Sequence, residues 1–554
     1  MDAQRTLAAD NQAQACSQDW WRGAVIYQIY PRSFQDSNGD GIGDLNGVTE
    51  RLDYIASLGV DAIWLSPFFT SPMADFGYDV SDYKGVDPMF GTLADFDTMT
   101  RKAHELGLKV MIDLVISHTS DQHPWFKESR SSRDNPKADW YVWADSKPEG
   151  SPPNNWLSIF GGPAWEWDGV RCQYYLHNFL TSQPDLNFHN PEVQDAVLDA
   201  ARFWLDRGAD GFRLDTVNFY FHDKELRDNP PLPTGMTLTG VEPTNPYSFQ
   251  HHLYDKTQPE NLQFLERFRA LLDLYPGSTA VGEIGADRDV IGTTASYTEE
   301  GKRIHMAYSF DLLTPKRSAS YILQTIENME AGLGSGWPSW ALSNHDVVRV
   351  ATRWGEGAEL DRFSPLALAF VTCLRGTPCI YQGEELGLQE ADVPFDKLQD
   401  PYGIRFWPKF KGRDGCRTPM PWSRTHPGGG FTTGTPWLPL ANEHLARAVE
   451  TQDRNEGSVL NRTRQFLKWR RKVQPLAKGG IRLLESEGET LAFLRLYNNE
   501  AVLCVFNLSA EPVELDLPQG VSTLTPLPGS GFSGVLEGKK IKLHGLDAFF
   551  ALAG

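Results

Sequence analysis

Four stretches of the sequence close a short apolar run with groups able to move protons or attack carbon. They are Asp113-Leu114-Val115-Ile116-Ser117-His118, Gly211-Phe212-Arg213-Leu214-Asp215, Gly282-Glu283 and Ser343-Asn344-His345-Asp346. If these runs are strands of one barrel, three carboxyl groups (Asp215, Glu283, Asp346) and two imidazoles (His118, His345) converge at its mouth. Residues i and i+2 of a strand share a face, so Arg213 and Asp215 point the same way. A guanidinium within roughly 4 to 6 Å of a carboxylate favours its ionised form, which is the form a nucleophile needs. Glu283 suits the complementary task of proton donor, with a pKa raised by burial and by nearby carboxylates. Taken singly, each acid reads better as a strand-end cap or a salt-bridge partner, but together their shared context argues for chemistry.

Such groups need a rigid scaffold, and the chain supplies a repeating order of apolar strand and amphipathic helix. Strands are expected at Ala24–Tyr30, Asp61–Pro67, Lys109–Val115, Gly211–Thr216, Thr279–Gly285, Ala307–Asp311, Trp337–Asn344 and Thr377–Gly383, with helices between most of them. This order predicts an α/β fold, a (β/α)8 TIM barrel formed by residues 1–117 and 186–473. Residues 118–185, rich in Trp, Pro, Asn and Gly, exceed an ordinary βα loop and read as a subdomain inserted after strand 3. After about Val473 the helical pattern stops and period-two strands begin, which predicts a C-terminal antiparallel β-domain over 474–554.

A formal net charge of −20 argues against nucleic acid or anionic membrane as partner, and a small or neutral substrate fits better. Six cysteines without a Cys-x-x-Cys pair predict reduced thiols rather than a disulfide framework or a structural zinc site. Met1 to Asp19 is polar, lacks the apolar core of a signal peptide, and no apolar run of about 18 residues occurs elsewhere, so a cytoplasmic location is expected. Asp36-Ser37-Asn38-Gly39-Asp40-Gly41-Ile42-Gly43-Asp44 sets oxygen ligands at alternating positions, with glycine where a tight loop must turn, much like an EF-hand loop. Asp36, Asn38, Asp40, Ile42 and Asp44 are therefore expected to hold a structural Ca2+ or Mg2+, a metal-free turn being the alternative. No organic cofactor is expected.

In order and spacing, the four polar strand ends resemble the signature regions of the α-amylase superfamily, glycoside hydrolase family thirteen. Gln183-Pro184-Asp185-Leu186-Asn187, Tyr381-Gln382-Gly383-Glu384-Glu385-Leu386-Gly387 and Arg417-Thr418-Pro419-Met420-Pro421-Trp422 look like its oligo-1,6-glucosidase and α-glucosidase branch, and the likeness covers essentially all the chain after residue 20. The resemblance implies an exo-acting, retaining α-glucosidase with Asp215 as nucleophile and Glu283 as proton donor. In such enzymes the reacting carboxyls stand roughly 5 to 5.5 Å apart. Asp346, His118 and His345 resemble the residues that bind sugar hydroxyls beside them. Asp75-Phe76-Gly77-Tyr78 resembles the branch's Asp-x-x-Tyr, whose tyrosine stacks on the bound glucose, and Arg413 resembles the distant partner of that aspartate. An Asp75–Arg413 ion pair would close the pocket on the terminal 4-hydroxyl. Phe160 and Phe179 would supply apolar walls, or else pack within the inserted subdomain.

Two departures from the family pattern stand out. Ser117 occupies the place where α-amylases usually carry an asparagine that helps bind their own calcium. Thr216 follows Asp215 where this branch tends to carry valine in enzymes acting on α-1,6 bonds and alanine in those favouring α-1,4 bonds; its hydroxyl could bind a substrate or acceptor oxygen. The long, proline-bearing stretch from Phe219 to about Pro259 is expected to wall off the aglycone side. Maltose-like disaccharides and sucrose are the expected substrates, with transglucosylation as a side reaction. A sucrose isomerase or other glucosyltransferase is the alternative, although Phe310-Asp311-Leu312-Leu313-Thr314-Pro315-Lys316-Arg317 lacks the Arg-Leu-Asp-Arg run of sucrose isomerases. A non-catalytic ancillary subunit of an amino-acid transporter would reuse the same barrel, but it needs a membrane anchor.

Overall fold

The computed structural model describes residues 18–285 and 289–554. Cys16 and nearly all of the polar segment Met1 to Asp19 lie outside the described residues. Eight parallel strands form the centre: β1 (Ile26–Ile29), β2 (Ala62–Leu65), β3 (Lys109–Leu114), β4 (Gly211–Leu214), β5 (Thr279–Ile284), β6 (Met306–Ser309), β7 (Ser339–Ala341) and β8 (Thr377–Tyr381). They pair in the order β6-β5-β4-β3-β2-β1-β8-β7, and a parallel bridge between Ala307 and Pro338 closes the ring. Helices cover the outside and side chains fill the inside, which is why these strands read as nearly continuous apolar runs.

The helices follow from local chemistry. Leu45–Leu58 starts where the Asp44 carboxylate accepts a hydrogen bond from the Gly47 N–H and stops at Gly59, whose φ of +91° suits a residue without a side chain. Leu45, Val48, Leu52 and Ile55 form its buried stripe against the barrel, at the spacing of one helix face. Each such side chain stabilises the fold by about 1.5 to 3 kcal/mol. Leu93–Glu105 begins with a reciprocal Thr92–Asp95 capping box, and Pro191–Asp206 with Asn190 before a proline.

Between β3 and β4 the chain leaves the barrel to form the helix Pro124–Ser131 and a three-stranded sheet of Trp143–Ala144, Trp165–Asp168 and Gln173–Leu176. This insertion has its own core around Trp156 and Trp165. The segment after β4 lies against it through a reciprocal pair: Asn155 donates to the Asn229 carbonyl at 2.8 Å, and the Asn229 N–H donates to the Asn155 side chain at 2.8 Å. Asn245 adds a hydrogen bond to the Ile159 carbonyl at 2.7 Å. Insertion and loop thus form one wall above the barrel mouth.

Helical structure persists slightly beyond the expected halt at Val473, because Gln474–Lys478 forms one further short helix. Five residues beginning with Gln-Pro are too few to display a helical period. A five-stranded antiparallel sheet and a separate three-stranded sheet then complete the chain. Arg495, fully buried, joins this region to the barrel by donating to the carbonyls of Cys373, Leu374, Leu476 and Gly479. The described cysteines are all free thiols. Among the described residues no helix is long and apolar enough to cross a membrane.

Candidate active site

One pocket opens at the C-terminal ends of the strands, lined among others by Asp215, Glu283, Asp346, Asp75, Tyr78 and His118. Thr216, Phe160, Phe179 and Arg413 also face it, whereas Arg213 and His345 lie fully buried beneath. All twelve residues singled out for catalysis or substrate binding therefore belong to one locality. The loop from Asp36 to Asp44 does not line it.

Arg213 on β4 organises the centre. Its Nη1 lies 2.8 Å from Asp113 and 2.6 Å from Asp215, and its Nη2 lies 2.6 Å from Glu283. The two candidate reacting carboxyls thus sit at opposite prongs of one planar fork. Register explains why: Arg213 is paired with Asp113 on β3 and with Val281 on β5, two residues before Glu283. Tyr308 on β6, aligned with Glu283, donates its hydroxyl to that carboxylate at 2.9 Å.

Because the three carboxylates that share this one cation are almost fully buried, burial dominates their titration. It raises Glu283 to about 7, with Asp215 and Asp346 adding to the rise and Arg213 opposing it. The expectation that Arg213 would hold Asp215 ionised requires correction. Burial, helped by Asp113 and Asp346, outweighs the guanidinium and lifts Asp215 to about 7 as well. Asp346 behaves oppositely: the guanidinium groups of Arg413 and Arg417 overcome its burial and hold it well below the usual carboxylate range. The site therefore contains one firmly ionised acid and a pair poised to share a proton near neutral pH.

The pocket's closed end is built from Asp75 and Arg413, 2.8 Å apart. Arg413 also contacts Asp400 at 2.8 Å and Asp346 at 3.2 Å, while Arg417 approaches Asp346 at 2.8 Å. The Tyr78 and His345 rings lie parallel, centroids 5.4 Å apart, and meet edge to edge through a hydrogen bond between the Tyr78 hydroxyl and His345 Nε2. On the other ring nitrogen, Gln28 donates to His345 Nδ1 at 2.7 Å. His118 meets the Phe179 ring at 5.1 Å, and Phe160 packs on Phe179 and Tyr402, which makes both phenylalanines pocket walls rather than interior packing of the insertion. Burial keeps both histidines neutral at physiological pH, His118 lowered to about 4.

Sequence reasoning did not assign site roles to Asp113, Tyr308, Asp400 or Arg417. Asp113 and Arg417 lie inside motifs already quoted, and alternation along β3 could have marked Asp113 as facing inward with Met111. Asp400 carries no such signal, since its partner Arg413 is reached only through the folded loop.

Thr216 occupies the left-handed region, φ +39° and ψ +51°. For a β-branched residue this conformation costs about 1 to 3 kcal/mol. The strain aims its backbone N–H at Glu283, 3.2 Å away, and its hydroxyl at Asp215, 3.2 Å away. One residue thus touches both members of the carboxyl pair.

In the loop from Asp36 to Asp44, the side chains accept the loop's own N–H groups. Asp36 takes those of Asn38, Gly39 and Gly41, Asn38 that of Asp40, Asp40 that of Ile42, and Asp44 that of Ser37. These donors offset the repulsion between the acids. Among the described residues no three acidic, His or Cys groups are gathered in a metal-holding arrangement. The donor set of three carboxylates and an amide oxygen, with a main-chain carbonyl at Ile42, nevertheless has the hard-oxygen character that calcium and magnesium require.

A parallel barrel whose strand ends hold paired buried carboxyl groups has the layout of an enzyme's active site rather than of a binding scaffold. The chain belongs to the alpha-amylase family of glycoside hydrolases: residues 28–479 match the alpha amylase catalytic domain and residues 481–553 the maltogenic amylase C-terminal domain. It is 58% identical over 536 residues to a probable alpha-glucosidase of Rhizobium meliloti (strain 1021), covering 96% of this chain and 97% of that one. An oligo-1,6-glucosidase of Parageobacillus thermoglucosidasius is 37% identical over 536 residues, 91% of this chain and 92% of its own. Among solved structures, the alpha-glucosyl transfer enzyme XgtA superposes with a TM-score of 0.94 at 57% identity, over 97% of this chain and 99% of that one. The trehalulose synthase MutB from Pseudomonas mesoacidophila MX-45 gives 0.87 at 32% identity, over 97% and 99%.

Proposed function

We propose that the protein is an exo-acting, retaining α-glucosidase that removes terminal α-linked glucose from short substrates such as maltose-like disaccharides and sucrose. The observation carrying this reading is the shared fork: Asp215 and Glu283 each lie 2.6 Å from Arg213, at one pocket whose far end is closed by Asp75 and Arg413. With one proton on the pair, carried by Glu283, the Asp215 carboxylate attacks the anomeric carbon as Glu283 protonates the departing oxygen. The old carbon–oxygen bond breaks and a glucosyl ester to Asp215 forms. Glu283, now a base, takes a proton from water; the water oxygen bonds the anomeric carbon from the other side and Asp215 leaves as carboxylate. Two inversions give net retention. Asp346, ionised throughout, holds sugar hydroxyls, Tyr78 packs on the ring, and the neutral His118 and His345 support the subsite through Ser117, Gln28 and Tyr78. Following glucose release from maltose and the anomer first formed tests this; release of the β-anomer would overturn it.

Transfer to an alcohol is the second reading. Val241, Phe310 and Val347 line the outer pocket, an apolar surface on which an organic acceptor displaces water. The likeness to an alpha-glucosyl transfer enzyme supports it. Resolving the products from maltose, isomaltose, nigerose, sucrose and maltotriose separates hydrolysis, transfer and isomerisation and assigns the linkage.

The cation belongs to this proposal too. Asp36, Asn38, Asp40, Ile42 and Asp44 would hold a structural calcium or magnesium, whose charge would reinforce the turn after β1. A cytoplasmic setting fits the free thiols.

A further inference from the structure

Ser117, three residues beyond the end of β3, lies in a row of short polar contacts that ends on Asp215. Its Oγ is 2.9 Å from His118 Nδ1 and 3.1 Å from the Thr216 hydroxyl, which in turn is 3.2 Å from Asp215 Oδ2. Both hydroxyl residues are buried, Ser117 at 2% and Thr216 at 8% exposure, so a hydroxyl hydrogen without an acceptor is costly and the acceptors in contact are those of the row.

The hydrogens can be counted from the histidine. His118 Nε2 stands 3.0 Å from the Tyr78 carbonyl oxygen, which can only accept, so Nε2 carries the proton. The Gln183 amide nitrogen, 3.2 Å from the same Nε2, has Asp75 Oδ2 at 3.3 Å to donate to and does not reverse this assignment. A neutral His118 then has a bare Nδ1, and the Ser117 hydroxyl donates to it. Ser117 Oγ is left as an acceptor only. Thr216 consequently has one hydrogen and two acceptors, Ser117 Oγ and Asp215 Oδ2.

Resting on Asp215 as nucleophile, we propose that Ser117 is a positioning residue that competes with Asp215 for the single hydrogen of Thr216, and so sets how readily the nucleophile ionises. When Asp215 is a carboxylate it is the stronger acceptor and draws the hydroxyl. When Asp215 carries the glucosyl group its acceptor strength falls, and the hydroxyl turns to Ser117 as the better acceptor. The two departures from the family pattern, serine after β3 and threonine after the nucleophile, are therefore one device.

The test is the pH profile of kcat/KM with 4-nitrophenyl α-glucoside for the wild type, Ser117→Ala, Thr216→Val, Thr216→Ser and the double variant S117A/T216V. The groups facing Asp215, namely Arg213, Asp113, Glu283, Asp346, Tyr78 and Tyr220, are the same in all five proteins, so differences report the hydroxyl row. Thr216→Val removes the donor and moves the acid limb up by about one pH unit. Ser117→Ala removes the competitor and moves it down. The double variant matches Thr216→Val alone, and Thr216→Ser returns the limb toward the wild type. Should Thr216→Val fold poorly, Thr216→Ala reads the same loss of donor. An acid limb unmoved or raised by Ser117→Ala, or single effects that simply add, would overturn the proposal while leaving the glucosidase reading intact. A wild type that releases no 4-nitrophenol overturns the glucosidase reading, and this inference with it.

Discussion

Arg413 sets its guanidinium 2.8 Å from the carboxylate of Asp75, a partner 338 residues earlier in the chain. The same cation lies 2.8 Å from Asp400, so three charges and a bidentate geometry form the end of the pocket. Arg413→Lys keeps the charge but loses the fork. It is expected to raise KM for maltose on the order of tenfold or more while changing kcat less, measured by initial rates. An unchanged KM would mean that the pair closes nothing on the sugar.

Asp215→Asn removes the attacking carboxylate with little change in shape, and is expected to lower kcat for both maltose and 4-nitrophenyl α-glucoside by about four orders of magnitude or more. Glu283→Gln separates the two roles. Maltose hydrolysis, which needs a proton on a poor leaving group, should fall far more than formation of the glucosyl-enzyme from the nitrophenyl substrate. Equal losses on both substrates, resolved by burst kinetics, would count against Glu283 as the acid.

Activity requires one proton on the carboxyl pair, and both members are pushed up to about 7. Two such neighbours lose their protons in separate steps, one below and one above that value. A narrow bell centred near neutrality is expected for kcat/KM against pH. A plateau extending unchanged from pH 5 to 9 would contradict a shared proton.

The same shift has a cost in stability. Glu283 rises from an ordinary 4.5 to about 7, so the folded protein binds a proton there that the unfolded chain releases between those values. That contribution is fully present below about pH 4.5 and is lost as the pH climbs through 7, on the order of 3 kcal/mol. Glu283→Gln, neutral at every pH, should therefore gain thermal stability relative to the wild type as pH rises from 5 to 8. A melting-temperature difference independent of pH would sink this account.

For the loop from Asp36 to Asp44, calcium is expected to raise the melting temperature in a concentration-dependent way and a chelator to lower it. Asp40→Ala, at an exposed position, should abolish both responses and the luminescence of bound terbium. Identical melting curves with calcium and with chelator would leave a metal-free turn.

What the sequence determined alone is the alternation of strand and helix, the eight strand positions to within a few residues, and which strand ends carry acids. The physical reason is local: side-chain period and turn chemistry act over a few residues, and a buried parallel strand must be apolar throughout except where it ends. Thr216 and Ser117 were visible as unusual residues, but not as neighbours. Only tertiary structure decided that Arg213 divides itself among three carboxylates, that burial makes Asp215 rise instead of fall, and that Asp400 joins Arg413. Those outcomes depend on burial and on distances between strands and loops far apart in the chain, and electrostatic energy in a dry interior is governed by such distances rather than by residue type.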